Sequence, residues 1–292
     1  MPGDRTPDGE LDERIEEYRR TATDVRKDIV EMVYAAQSGH PGGSLSAVEF
    51  MLWLYNEELN VSAADPTDPD RDRLIYSKGH ACPVLYALLA RYGFVDGDPR
   101  EEFRRLGGSL PGHSSPKVPG VEFPSGSLGQ GLSYANGQAM AAELDDRDYD
   151  VYAILGDGEV QEGNIWEAAM TAGEKELDVT AIVDRNGKQN DLPVAETKEV
   201  DPLAEKFEAF RWDVWEVDGH DFEDLAETFA AINADTAPGP TVVLANTVKG
   251  HPISFMEAQP NGYHAGAMSE EELEQAIGEL GFDPAEVEVS TK

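Results

Sequence analysis

The chain is 292 residues long and 40% hydrophobic, which is enough for one or two packed domains. Its 58 acidic and 23 basic residues give a formal net charge of −35, and such a negative surface argues against a nucleic-acid partner. No apolar run is long enough to span a membrane, and residues 1–10 contain no apolar secretory signal. Because Cys82 is the only cysteine, no intrachain disulfide can form, and we expect a cytoplasmic location.

The acidic residues are spread along the chain instead of forming one tail. In dilute buffer their mutual repulsion opposes the compact state, and salt screens it. Their regular interleaving with apolar residues argues against disorder, whereas a partner-binding acidic surface stays open as an alternative. We expect a halophilic source, with molar salt in the cytoplasm.

The predicted elements begin after a flexible polar segment, residues 1–10. Apolar spacing predicts helices over residues 11–37, 47–55, 83–92, 132–143, 164–173 and 222–232, and strands over residues 74–76, 151–155, 179–183, 214–217 and 241–245. Strands that alternate with helices predict an α/β fold, with a doubly wound, mostly parallel sheet and helices on both faces. No repeat or second linker interrupts the chain, so we expect one domain over residues 11–283 and a polar tail over residues 284–292.

A stretch rich in glycine, proline and serine runs from Gly107 to Gly131. Loops of about 25 residues are uncommon and usually functional. Its last part, residues 126–131, superficially matches a dinucleotide-binding loop, but Pro124 and Ser125 interrupt the position where a strand should precede it. The chain also lacks the Gly-Lys-Ser/Thr of a P-loop. Both nucleotide-binding interpretations are therefore disfavoured.

Oxygen-bearing side chains follow two consecutive predicted strands. Gly156-Asp157-Gly158-Glu159 comes directly after strand 151–155, and Asn186 follows strand 179–183. The carboxyl ends of adjacent parallel strands form a ligand crevice, so Asp157 and Asn186 are expected to lie side by side. Hard oxygen ligands suit magnesium or calcium, and the Gly158 N–H can approach a phosphate oxygen. An ordinary turn with an unrelated asparagine is the alternative, but the spacing favours a metal–diphosphate site.

These residues resemble the metal–diphosphate motif of thiamine diphosphate enzymes. Five ordered blocks narrow the resemblance to transketolases: Ser38-Gly39-His40-Pro41-Gly42-Gly43-Ser44, Ser77-Lys78-Gly79-His80, Pro111-Gly112-His113, Gly126-Ser127-Leu128-Gly129-Gln130-Gly131, and Gly156-Asp157-Gly158 continued by Gln161-Glu162-Gly163, Glu167 and Asn186. Residues 246–266 match more loosely. Any one block is weak, but five in order are specific.

The resemblance implies roles for individual residues. The metal ligands would be Asp157, Asn186 and the backbone carbonyl of Lys188, for Mg²⁺ with Ca²⁺ or Mn²⁺ as substitutes. Thiamine diphosphate would contact Gly126, Ser127, Leu128, Gly156, Gly158, His80 and His264. Glu162 and Glu167, which also count as cofactor-site residues, would link the two active sites of a dimer formed through this domain. His40, His80, His113 and His264 would be the catalytic histidines.

Histidines suit the implied chemistry. Transfer of a ketol unit requires that protons leave a sugar hydroxyl and reach an aldehyde product, and imidazole can do both near neutral pH. His264 is the least secure of the four, because Ala265 separates it from Gly266 where the family has a His-Gly pair. We expect His220 to cap the helix that follows it, and His251 has no assigned role.

The resemblance also implies a partner. Transketolases continue with a pyrimidine-binding domain, which activates the cofactor and grips the sugar phosphate, and this chain has no room for it. The polar tail favours a natural split gene over a shortened chain, so we expect activity only with a C-terminal transketolase subunit, in an assembly with two copies of each. The alternatives are a subunit of another thiamine diphosphate enzyme, similar to deoxyxylulose-phosphate synthase or to the alpha subunit of a 2-oxoacid dehydrogenase, and a non-catalytic cofactor-binding paralogue.

Overall fold

The computed structural model describes residues 8–235, 237–287 and 289–291. Its helices are α1 (Asp8–Ala36), α2 (Pro41–Leu45), α3 (Val48–Trp53), α4 (Cys82–Arg91), α5 (Pro99–Glu102), α6 (Gly131–Asp145), α7 (Gly163–Lys175), α8 (Val194–Thr197), α9 (Leu203–Ala209), α10 (Phe222–Ala234), α11 (Ser254–Glu257) and α12 (Glu270–Glu279). Its strands are β1 (Arg73–Tyr76), β2 (Val151–Gly156), β3 (Thr180–Arg185), β4 (Asp213–Asp218) and β5 (Thr241–Asn246). Short 3₁₀ turns cover Gly79–Ala81, Glu159–Gln161 and Pro284–Glu286, and a π-helical turn covers Leu54–Glu58.

The five strands form one parallel sheet in the order β1-β2-β3-β5-β4. Every residue of β1 and β2 is buried, and so are the middle residues of β3 and β5. Such continuous apolar runs are typical of parallel strands that are covered on both faces. The predicted α/β fold with a parallel sheet is confirmed.

Two separate apolar cores lie on the two faces of the sheet. Along β2 and β3, Ile154 and Ile182 point to the core built with α1, α3, α4, α10 and α12. Leu155 and Val183 point to the opposite core, built with α6, α7 and α9. Successive strand residues face opposite sides, so each strand supplies both cores.

The ends of the chain differ from the prediction. Helix α1 begins at Asp8, so residues 8–10 are helical rather than flexible, while residues 1–7 of that predicted segment lie outside the described residues. Leu11 packs against the core in the next turn, which anchors this helix end. In the predicted polar tail, Pro284–Glu286 forms a 3₁₀ turn and Val287 packs against the core.

The parallel topology brings the carboxyl ends of β1, β2, β3 and β5 to one edge of the sheet. Residues 103–130, which are largely free of helix and strand, lie between α5 and α6 and include the predicted long loop. Among the described residues, no helix has the length and apolar character needed to cross a membrane. The edge where the strands end is therefore where a ligand site is expected.

Candidate active site

A cleft of about 320 Å³ opens at the carboxyl edge of the sheet. It is lined by His40, Gly43, Lys78, His80, Gly126, Leu128, Gly156, Asp157, Gly158, Glu159, Gln161, Asn186, Lys188, Gln189, Asn190, Lys249 and His264. The strand ends after β1, β2, β3 and β5 all contribute to it. Most of the residues that the sequence singled out for cofactor, metal and catalysis thus meet in one place.

Asp157 and Asn186 lie on neighbouring strand ends, as predicted. The Asp157 carboxylate accepts hydrogen bonds from the backbone N–H groups of Gly158 (2.7 Å) and Gly187 (2.6 Å). Asn186 Oδ1 accepts from the Lys188 N–H at 3.1 Å. Burial, followed by the nearby Asp184 carboxylate, raises the pKa of Asp157 to about 7. The arrangement concentrates oxygen ligands at the cleft floor.

The fully buried carboxylate of Asp184 lies beneath the cleft and orients the Asn186 side chain. Asp184 is the penultimate residue of β3 and accepts from the Lys78 ammonium and from the hydroxyls of Ser46 (2.7 Å) and Thr247. The Asn186 Nδ2 also donates to Asp184, at 3.1 Å, which turns the Asn186 amide oxygen away from Asp184. Burial opposes ionisation of Asp184, but Lys78 and the hydroxyl donors hold its pKa below the usual range.

Lys249 brings a second cation to the cleft. Its ammonium contacts the carbonyl oxygens of Lys188 (3.1 Å) and Gln189 (3.2 Å) and His264 Nδ1 (3.0 Å). Burial, with the neighbouring Lys78 ammonium as the next cause, lowers the pKa of Lys249 to about 8. Lys249 and Lys78 thus both line the cleft, Lys78 while it is ion-paired with Asp184.

The donor set fits a magnesium diphosphate. Two ammonium groups suit the anion, and the Asp157 carboxylate, the Asn186 amide oxygen and the Lys188 carbonyl are hard ligands of the type that Mg²⁺ prefers. Within residues 8–235, 237–287 and 289–291, no cluster of three His, Cys, Asp or Glu residues offers an alternative metal site. The predicted ligand set, with a single carboxylate, stays a prediction that these side chains fit.

Four histidines cluster beside these groups. The His40 ring lies 5.1 Å from His80, 5.2 Å from His264 and 6.0 Å from His113, between ring centroids. His80 and His264 are 5.2 Å apart. His40 Nδ1 is buried and has no protein partner. The structure thus brings together the four histidines that the sequence placed far apart.

The pKa values of all four histidines are lowered. Burial, and then the Arg104 cation, lowers the pKa of His40 to about 4. Burial, and then Lys249, lowers the pKa of His264 to about 3. Burial also lowers the pKa values of His80 and His113, helped by neighbouring His40 and Arg104 respectively. Neutral imidazoles can accept a proton at one nitrogen and donate from the other.

Glu159 ties the glycine-rich loop to the sheet edge. Its buried carboxylate accepts from the backbone N–H groups of Gly129 (2.8 Å) and Gly156 (3.1 Å) and from the Ser77 hydroxyl. Burial raises the pKa of Glu159. The contact places Gly126 and Leu128 at the cleft, as predicted.

Four predicted residues do not line the cleft: His113, whose ring neighbours that of His40, and Ser127, Glu162 and Glu167. Ser127 is exposed and accepts a hydrogen bond from Gln130 Nε2 at 3.2 Å. Glu162 and Glu167 are exposed at the start and on the outer face of α7. Their predicted role at a dimer interface needs a second copy and stays a prediction.

Sequence reasoning missed Lys78, Lys249, Asp184 and Glu159. Lys78 stands inside the Ser-Lys-Gly-His block and Lys249 inside Lys-Gly-His-Pro, so the two lysines were visible in segments already singled out. Glu159 likewise closes the Gly-Asp-Gly-Glu block, whereas Asp184 stands in no such block, because its importance lies in buried contacts to distant loops.

Known proteins resemble the chain over nearly its full length. The profile of the family described as "Transketolase, thiamine diphosphate binding domain" matches residues 18–291. The chain belongs to this family. It is 38% identical over 256 residues to an apulose-4-phosphate transketolase subunit of Phocaeicola vulgatus, covering 87% of this chain and 90% of that protein. It is also 38% identical over 273 residues to 6-deoxy-6-sulfo-D-fructose transketolase subunit SqwG of Clostridium sp., covering 92% of this chain and 98% of that protein.

Longer transketolases match over part of their length. The structure of transketolase from Leishmania mexicana superimposes with a TM-score of 0.85 and 29% identity, over 94% of this chain and 42% of that chain. Rat transketolase is 36% identical over 282 residues, which cover 96% of this chain and 44% of the rat protein. Membership in the transketolase family makes the chain a transferase subunit with a thiamine diphosphate-binding domain.

Proposed function

We propose that this chain is the N-terminal subunit of a split transketolase. With thiamine diphosphate and Mg²⁺, it would transfer a two-carbon ketol unit reversibly from a ketose phosphate to an aldose phosphate. The observation that carries the proposal is the cluster of four histidines directly beside a cleft with two ammonium groups and a carboxylate–amide pair. A cofactor site without reaction chemistry would not need four imidazoles with 5.1 to 6.0 Å between neighbouring ring centroids.

The cleft residues divide the work of binding. Asp157, Asn186 and the Lys188 carbonyl would hold the metal, and Lys78 and Lys249 would face the diphosphate. Thiamine diphosphate supplies an electron sink for the carbanion that forms when the ketose is cleaved. Leu128 and the Gly126 carbonyl line the same cleft and would fix the ring end of the cofactor.

The histidines would move protons and orient the sugar. His40 is central, because it contacts the rings of His80, His113 and His264. Its unpartnered Nδ1 can bind a donor hydroxyl or accept its proton. Burial keeps His40 neutral at pH 7, so it acts first as an acceptor. The protonated ring can then return the proton to the product.

A second polypeptide would complete the active site. Two relatives that are named as transketolase subunits align over 90% and 98% of their own length, which supports a subunit organisation for this chain. The partner would be a C-terminal transketolase subunit with the pyrimidine-binding domain and the grip on the sugar phosphate. Self-association through the face that carries Glu162 and Glu167 would give two copies of each polypeptide. The cytoplasmic location and halophilic source remain predictions, and the family match leaves no observation in favour of another thiamine diphosphate enzyme.

Reconstitution tests the proposal. The chain is purified in molar potassium chloride and supplied with thiamine diphosphate, magnesium, xylulose 5-phosphate and ribose 5-phosphate. Sedoheptulose 7-phosphate is followed with and without the C-terminal polypeptide of the same organism. Product only in the mixture is expected. A complex that assembles but makes no product would contradict ketol transfer.

A further inference from the structure

His220 lies outside the cleft, and the structure gives both of its ring nitrogens a partner. Nε2 accepts a hydrogen bond from the backbone N–H of Val248 at 2.9 Å. Nδ1 lies 3.0 Å from Glu49 Oε2. Because Nε2 is an acceptor, the ring proton must be on Nδ1, and it is donated to Glu49. His220 therefore joins a carboxylate on α3 to the loop that follows β5.

Glu49 is in turn fixed by a neighbouring cation. It is buried and ion-paired with the buried Arg26 of α1. Arg26 Nε also donates to the backbone carbonyl of His251 at 3.3 Å. The His251 ring packs against His220, with 4.3 Å between ring centroids. Arg26, Glu49 and His220 thus form a hydrogen-bonded chain, called the relay below. It contacts the loop backbone at two points, the Val248 N–H and the His251 carbonyl.

Lys249 lies between these two backbone contacts, at residues 248 and 251. On either side, the Thr247 hydroxyl donates to Asp184 and the Gly250 N–H donates to the Gly42 carbonyl at 3.1 Å. The Val248 side chain is 43% exposed, so its own packing does little to hold the loop. With Thr247 and Gly250 held by these contacts, the Val248 amide that is bonded to His220 is the anchor directly preceding Lys249.

We propose that His220 is a positioning residue for Lys249. By fixing the Val248 amide, it keeps the Lys249 ammonium on the Lys188 and Gln189 carbonyls and on His264, where a diphosphate would bind. The relay follows from the geometry of the chain alone, whereas its use for the cofactor rests on the proposed function.

Helix capping does not account for His220. The cap of α10 is Asp221, whose carboxylate accepts from the N–H groups of Glu223 (2.9 Å) and Asp224 (3.3 Å). The prediction that His220 caps this helix is wrong, because its ring points away from α10, towards Glu49 and Val248. Neither ring nitrogen of His220 makes a hydrogen bond to α10.

Two substitutions separate the two functions of the ring. In His220→Gln, the longer amide can reach the Nε2 position and accept from Val248, but the Glu49 contact is lost. In His220→Asn, the shorter amide can stay near Glu49 but cannot reach Val248. Both substitutions remove the imidazole ring, so each variant controls for the stability that the other loses with the ring. Thermal unfolding of both variants measures that loss of stability.

The first measurements use the free chain and NMR. Wild-type His220 is expected to carry a proton on Nδ1 and to accept from the Val248 N–H at Nε2. The Val248 amide should exchange with solvent about tenfold faster in His220→Asn than in wild type or His220→Gln. The His264 Nδ1 resonance should change in His220→Asn alone. A proton on Nε2, or equal Val248 exchange in all three proteins, would overturn the relay whatever the cofactor does.

The last measurement is thiamine diphosphate affinity in the presence of Mg²⁺, in the complex with the C-terminal subunit. We expect His220→Asn to bind about tenfold more weakly than His220→Gln. Equal affinities, with the relay confirmed in the free chain, would overturn the positioning of Lys249. A failed ketol-transfer assay with these affinities still different would contradict the proposed function alone.

Discussion

Arg104 joins the two loops that carry His40 and His113. Its Nη1 donates to the Ser38 hydroxyl at 3.2 Å and its Nη2 to the Gly112 carbonyl at 3.0 Å. A Cβ at Gly112 would lie 2.5 Å from the guanidinium carbon, so a larger residue there would displace the Arg104 head group. The cation is, after burial, the next cause of the lowered pKa of both histidines.

Arg104→Met should therefore raise the pKa of His40 from about 4 towards its usual 6.5, and that of His113 in the same direction. Removal of a nearby cation makes the protonated ring less unfavourable. Histidine NMR titrations measure the change. Arg211→Met is the control, because Arg211 also has left-handed backbone (φ 69°, against 53° at Arg104) but lies far from the histidines on the exposed surface. Unchanged titration of His40 would contradict the electrostatic role of Arg104.

Asp157→Asn should abolish the magnesium dependence of thiamine diphosphate binding. Asp157 is the only carboxylate in the predicted ligand set, so its loss should weaken cofactor binding in Mg²⁺ by at least about tenfold. Titration calorimetry with and without Mg²⁺ checks this. Asp12→Asn makes the same charge change on the exposed face of α1 and should bind as wild type does. Retained magnesium dependence in Asp157→Asn would remove Asp157 from the metal site.

At the scale of elements, two helical glycines face opposite surroundings. A Cβ at Gly173, in the last turn of α7, would lie 1.7 Å from the Phe210 carbonyl oxygen. A Cβ at Gly137, in the middle of α6, would meet nothing within 4 Å. The first glycine lets α7 approach the end of α9, and the second has no packing reason.

Gly173→Ala should destabilise the chain and Gly137→Ala should stabilise it. The clash at residue 173 forces backbone to shift, which typically costs about 1–3 kcal/mol. Alanine at residue 137 gains helix propensity, and we expect up to about 1 kcal/mol. Denaturant unfolding in high salt measures the two free energies. If both substitutions changed the free energy of unfolding in the same direction, the close approach of α7 to Phe210 would not require a glycine at residue 173.

The strands were predictable from sequence, and one short helix was not. The predicted strand over residues 74–76 corresponds to β1, and residues 151–155 to β2, because buried parallel strands are unbroken apolar runs. Helix α2, at residues 41–45, lies outside every helix that the sequence predicts. Its Gly42 packs so close that a Cβ would lie 1.9 Å from the Gly262 carbonyl oxygen. A contact between residues so far apart in the chain shapes this turn, and no local pattern shows it.

At the scale of the whole molecule, the main electrostatic feature is the formal net charge of −35. Several basic side chains are already used in ion pairs, such as Arg26 with Glu49 and Lys78 with Asp184. Most of the acidic side chains are exposed and lack a cation nearby within the described residues, so they repel one another.

The melting temperature should therefore rise with potassium chloride. Between about 0.1 M and about 1 M, the Debye length falls from ~10 Å to ~3 Å, and repulsion between surface carboxylates is screened. Calorimetry at several salt concentrations, with sucrose as an uncharged control, measures the effect. A melting temperature independent of salt would contradict the predicted halophilic adaptation.

The sequence by itself determined the fold class and the two strand ends that carry Asp157 and Asn186. Periodicity and apolar runs are local, and the carboxyl ends of neighbouring parallel strands must meet. Tertiary structure decided the rest of the site. Strand β5 lies beside β3, ahead of β4, and so brings Lys249 next to Lys188. Strand order depends on how whole helices pack on the two faces of the sheet, and that is a property of no single segment.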